Sequence, residues 1–320
     1  MKEGIHLKKN ESPESIETFL KSKGVEHPPK IKLNIFFMKH ETEEDAGFVL
    51  KRLQDNDVLS IELIGQNEEQ IKFLNQVSQN GEPDLDGKKW AESINFDKFY
   101  ATLINGLKGL QKPIISFDLH AEKDKDIIYD IAGSARGLKP DKFSSYEENK
   151  QDILISLKKF IDAQTIREEV IGLNIKWEVL QLLRDNPGLK NKKEIKILFA
   201  IGSAHTRLTG IAKEQGLDIT RDFYSWPHDM DLLSSMIKLG LYKGSERVDE
   251  QNPSDFLLFL LFRTLGIKSR DIKKQHLESF SEQERKELFD LYKSSSSRGD
   301  FSKLFKANSK ARDVFKDVDF

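Results

Sequence analysis

Four points along this chain carry side chains able to do acid/base or metal chemistry, each at the end of an apolar run that reads as a strand: His40, Glu62, Asp118 with His120, and His205. His205 has the most informative surroundings. The run Ile197 to Ile201 is rich in β-formers and too short for a buried helix. Gly202-Ser203-Ala204 then make a turn of small residues, and His205 sits at its tip. Thr206 is placed to cap a helix through Leu208, Ile211 and Ala212 that stops at Gly216. A helix N-terminus disfavours imidazolium, so His205 is expected as the neutral imidazole that a metal ligand or general base must be. The alternative is that His205 merely caps the turn.

In a parallel sheet all strand C-termini lie on one edge, so these groups can converge although far apart in sequence. His40, Glu62 and His205 then form a ligand set for a divalent metal (zinc, manganese or cobalt) with one position open for water. Without a metal, His40 or His205 serves as general base and Glu62 fixes the tautomer. Glu62 interrupts Val58-Leu-Ser-Ile-Glu-Leu-Ile64, an otherwise apolar strand. A lone buried carboxylate is costly, so Glu62 is expected to have a partner. Asp118 and His120 are two apart on a strand and share a face. They are a second acid/base pair or strand-end hydrogen-bonding groups.

The elements that must position these residues follow from apolar periodicity. Strands are expected at 31–38, 58–64, 114–119, 195–201 and 218–224, with helices at about 42–55, 68–79, 93–110, 124–135 and 208–216. A long helical pattern spans Tyr146 to Arg184, with breaks expected near Gln164 or Gly172. Strands alternating with helices imply an α/β fold with a mainly parallel sheet. Beyond Trp226-Pro227 only helical patterns occur, at about 229–239, 253–266, 268–278, 281–293 and 300–317, with Ser294 to Ser297 as a flexible tract. The expected organisation is an arm over residues 1–30, an α/β core over 31–226 and an all-helical C-terminal region over 227–320.

Composition narrows the classes. The 320 residues carry 51 basic and 53 acidic side chains, a net charge of -2 that argues against a nucleic-acid partner. There is no cysteine, which removes disulfides, thiolate catalysis and cysteine-type metal sites and fits a reducing compartment. The polar N-terminus has no signal-peptide core, and the most apolar window, Phe256 to Phe262, is too short to span a membrane. A cytoplasmic protein is expected, or one exported without a cleaved signal.

The motifs resemble those of the TraB/Tiki superfamily, which includes the erythromycin-esterase-like and ChaN-like proteins. Phe37-Met38-Lys39-His40, then a helix and the strand Asp57 to Leu63 bearing Glu62, is similar to its opening. Gly202-Ser203-Ala204-His205, with Gly210 further on, looks like its second Gly-x-x-His. Ile166-Arg167-Glu168-Glu169 to Asn174 resembles its helical Arg-Asp segment, with Glu168 standing for the aspartate. The likeness covers about residues 31–225; Phe37 stands where the pattern has glycine, and residues 226–320 have no counterpart. It implies a hydrolase of peptide, amide or ester bonds, metal-dependent or metal-free, acting on a small molecule or peptide. His40 and His205 would be ligands or base, Glu62 a ligand or orienting carboxylate, and Arg167 the stabiliser of developing negative charge. The contrasting expectation is a non-catalytic α/β scaffold whose Phe-rich C-terminal helices bind a protein partner.

Overall fold

The computed structural model describes residues 14–38, 42–65, 67–81, 98–202, 205–223, 241, 245, 252–265, 267, 272 and 274–315. In chain order the elements are α1 (Ile16–Ser22), β1 (Lys30–Met38), α2 (Glu43–Leu53), β2 (Val58–Ile61), α3 (Glu68–Asn80), α4 (Lys98–Leu107) and β3 (Ile114–Ile115). Then come α5 (Lys125–Gly137), α6 (Tyr146–Asp185), α7 (Pro187–Lys190), β4 (Glu194–Gly202), α8 (Leu208–Glu214) and β5 (Asp218–Phe223). The last are α9 (Pro253–Leu265), α10 (Lys274–Glu278), α11 (Glu282–Ser294), α12 (Arg298–Ala307) and α13 (Ser309–Val314).

The chain is an α/β protein with helices in its C-terminal region. Its five strands form one parallel sheet in the order β3-β2-β4-β1-β5. The two-residue period of a strand sorts the sheet's side chains into two cores. Ile31, Leu33, Ile35 and Phe37 of β1, with Ile195, Ile197, Phe199 and Ile201 of β4, pack with α1, α8 and the end of α6. Phe36 and Met38, with Leu198 and Ala200, pack with α2, α3 and α4 on the opposite face. Over their second halves, 35–38 and 197–201, β1 and β4 are buried on both sides and read as continuous apolar runs, as interior parallel strands do.

Local signals set the ends of several elements. Thr42 and Asp45 form a reciprocal capping box at α2, as the Thr42-x-x-Asp45 spacing implies, and Asn67 with Gln70 does the same at α3. Lys112 donates from Nζ to the carbonyls of Leu53, Gln54 and Asn56 at 2.6, 3.0 and 2.5 Å, closing the C-terminal end of α2. Gly106 lets α4 press on α2, since a Cβ there would meet Leu50 Cδ1 at 2.1 Å.

Several sequence expectations change. The strand expected over 114–119 stops at Ile115, because Ser116 turns its hydroxyl to the Ile61 carbonyl at 2.9 Å and Asn174 takes the carbonyls of Phe117 and Asp118. The helix α6 runs unbroken through Gln164 and Gly172. Gly172 serves packing instead, its missing Cβ making room for Ile211. Thr206 does not cap α8; Arg207 holds that position without a side-chain hydrogen bond. The helix expected over 300–317 is two, divided at Asn308, whose side chain caps α13. Ser294 to Ser297 are not a loose tract: Ser295 is buried, its carbonyl accepts from Lys142, and Ser297 caps α12. The helix expected over 229–239 lies outside the described residues.

Two compact units emerge. The first comprises Met1–Lys123, Glu168–Gly202 and Thr206–Tyr224; the second comprises Asp124–Arg167, Ser203–His205 and Ser225–Phe320. The division falls inside the span expected as one α/β core. Ile153, Leu157 and Ile161 of α6 pack with the phenylalanines of α9, α11 and α12 rather than with the sheet. Among the described residues no helix is long and apolar enough to cross a membrane.

Candidate functional site

The connections of the sheet reverse direction between β1 and β4. From β1 the chain passes through α2, on one face, to β2; from β4 it passes through α8, on the other, to β5. The carboxyl ends of strands at such a reversal are where α/β proteins bind ligands. Met38 and Gly202, the last residues of β1 and β4, are paired there. His205 follows Gly202 by three residues; His40 follows Met38 by two and lies outside the described residues.

Glu62 sits just beyond β2, half-buried, and its expected partner is backbone. Its Oε2 accepts the Gly202 N–H at 2.6 Å, while its own carbonyl accepts the Tyr100 hydroxyl at 2.8 Å. The carboxylate thus ties the end of β2 to the end of β4 with a charge-assisted hydrogen bond.

His205 and Arg167 are both buried, 6% and 1% exposed, and meet at 3.3 Å between Nε2 and Nη1. Arginine can only donate, so Nε2 accepts and the ring proton resides on Nδ1. Gln164, one helical turn before Arg167 on α6, presents its Oε1 to the same Nη1 at 3.2 Å. A guanidinium on Nε2 occupies the lone pair that a metal would need and repels a dication. Among the described residues no set of three or more His, Asp or Glu is arranged to hold a metal ion.

Glu168 is fully buried, and its Oε2 lies 3.9 Å from Arg207 Nη1, an ion pair longer than a hydrogen bond. Arg207 also reaches Glu169 at 3.1 Å. Asp118 is buried and accepts the N–H of Leu119 at 2.8 Å, and His120 Nδ1 accepts the N–H of Glu122 at 3.3 Å. These contacts give both residues a place in the turn that follows β3.

No protein-family model, curated protein or solved structure matches this chain. The site therefore rests on its own geometry. Two contributors escape a reading of the sequence alone. Gln164 and Arg207 look like ordinary helix-surface residues, and only the fold turns them toward Arg167 and Glu168.

Proposed function

We propose that the chain is a metal-free hydrolase of the TraB/Tiki and erythromycin-esterase-like type, cleaving a peptide, amide or ester bond. The buried contact between Arg167 and His205 carries this reading. In the resting state the guanidinium covers the base. A substrate carbonyl that develops negative charge competes for Arg167, and Nε2 of His205 is then released to take a proton from the attacking water. The resemblance implies His40 and Glu62 as further members of the set, and Glu62 holds the Gly202 N–H.

The test is hydrolysis of nitrophenyl esters and a quenched-fluorescent peptide library, with and without EDTA. Wild type should turn over regardless of chelator. His205→Ala should lose about 100-fold or more, as expected for a general base. Activity abolished by EDTA would instead support the metal-dependent branch.

A second reading is a non-catalytic scaffold whose helical C-terminal region binds a protein partner. It is favoured by the Glu62–Gly202 and Arg167–His205 contacts, in which each polar group already has an internal partner. Absence of turnover on every substrate by folded wild type supports it.

A further inference from the structure

We propose that a cavity along the β3 edge of the α/β unit binds a small zwitterion of dipeptide size, its ammonium set against Glu178 and its carboxylate against Lys72 and Lys123. The cavity has a volume of about 680 Å³ and is walled by one face of α3 and by the end of α6, with β3 as its floor. That lies within the roughly 300–1,000 Å³ of small-molecule pockets and is far larger than an ion needs.

Charges of both signs line it. Glu68 and Lys72 come from α3, Lys123 from the turn after β3, and Glu178 from α6. Opposite charges sharing a cavity ordinarily close into ion pairs. Yet no side chain of these four makes a hydrogen bond or an ion pair within 4 Å among the described residues, although Lys123 is near enough to Glu178 to attract it. The space between them suits a molecule carrying both an ammonium and a carboxylate. Ile114 and Leu182 add an apolar patch for a side chain.

Glu178 also behaves as a carboxyl short of a cation. Burial, with the nearby carboxylates of Glu68 and Asp185, pushes it up to about 7, and Lys123 pulls it back only in part. Lys72 and His120 are the other ionisable groups in the lining. Asp185 is already engaged, accepting from Gln181 at 2.9 Å, and Glu68 is exposed, so Glu178 is the half-buried acid left for a ligand.

The inference does not depend on hydrolysis. Calorimetric titration of the full chain at pH 7 would use leucylglycine, leucylglycinamide, which lacks the carboxylate, and 4-methylpentanoylglycine, which lacks the amine. Leucylglycine should bind saturably and each analogue about tenfold more weakly or worse, the loss of one charge-assisted contact. Glu178→Gln should erase discrimination against the analogue without the amine. The double substitution Lys72→Ala with Lys123→Ala should erase it against the amide. His205→Ala should bind as wild type does, which separates this site from the hydrolytic one. No saturable binding of any probe, equal affinity for all three, or equal affinity for leucylglycine and its amide each overturns the proposal.

Discussion

The side-chain amide of Asn75 meets the backbone of Ile114 from both sides, donating to its carbonyl at 2.7 Å and accepting its N–H at 2.8 Å. A neighbouring strand would make the same two bonds. β3 lies at the edge of the sheet, where unpaired backbone invites edge-to-edge association, and Asn75 closes that edge from α3. Asn75→Leu should cost about 1–3 kcal/mol, the penalty of leaving these groups unmatched, and promote association of the variant. Urea denaturation and sedimentation measure the two effects; a variant as stable and as monodisperse as wild type defeats the explanation.

Glu178 makes stability depend on pH in the direction opposite to most acids. Its carboxyl moves from 4.5 to about 7 in the folded chain, first through burial and then through Glu68 and Asp185, against the pull of Lys123. The folded protein therefore holds more protons than the unfolded chain between those values. Stability is highest below about 4.5 as far as this group is concerned, and falls as pH rises through 7. The loss is on the order of 3 kcal/mol once pH exceeds both values. Glu178→Gln, which cannot ionise, should melt higher than wild type at pH 8 and nearly level with it at pH 5. A constant difference across that range would refute the account.

The tautomer of His205 is open to direct observation. Nε2 accepts from Arg167, so nitrogen-15 spectra of the imidazole should show an unprotonated Nε2 and a protonated Nδ1. Arg167→Met removes the donor. The signal should then move toward the tautomer mixture of a free imidazole, while Gln164 loses its partner. An unchanged spectrum in Arg167→Met means that something else orients the ring.

The layered sheet was legible because the second halves of β1 and β4 are apolar on both faces, and the cap at Thr42 because its acid stands three residues on. The early end of β3 was not. Ile114-Ile-Ser-Phe-Asp-Leu119 reads as a strand, and the hydroxyl of Ser116 on the Ile61 carbonyl, with Asn174 on the carbonyls of Phe117 and Asp118, diverts it. The use of Gly172 inside α6, leaving room for Ile211 far along the chain, was not legible either. Glu62 could be singled out as a carboxylate in need of a partner. That the partner is the N–H of Gly202 could not be read, since every residue offers the same amide and the pairing of β2 with β4 decides which one it meets.

Asp57 gives the complementary test at acid pH. Its carboxylate accepts the N–H of Lys196 at 2.8 Å and the ammonium of Lys192 at 2.5 Å, joining the turn before β2 to the start of β4. Burial raises the carboxyl, but the Lys192 and Lys196 hydrogen bonds and the nearby charge of Lys112 outweigh it, and the net displacement is downward from 3.8. A depressed acid stabilises the fold above its unfolded value, and that contribution disappears as pH falls through the lower folded value. Asp57→Asn should therefore be less stable than wild type at pH 6, and the gap should narrow as pH drops below about 4. Lys192→Met should shrink the same gap while keeping the bond to Lys196. Chemical denaturation from pH 2.5 to 6 measures all three proteins, and a gap that stays constant down to pH 2.5 excludes Asp57 as the titrating group.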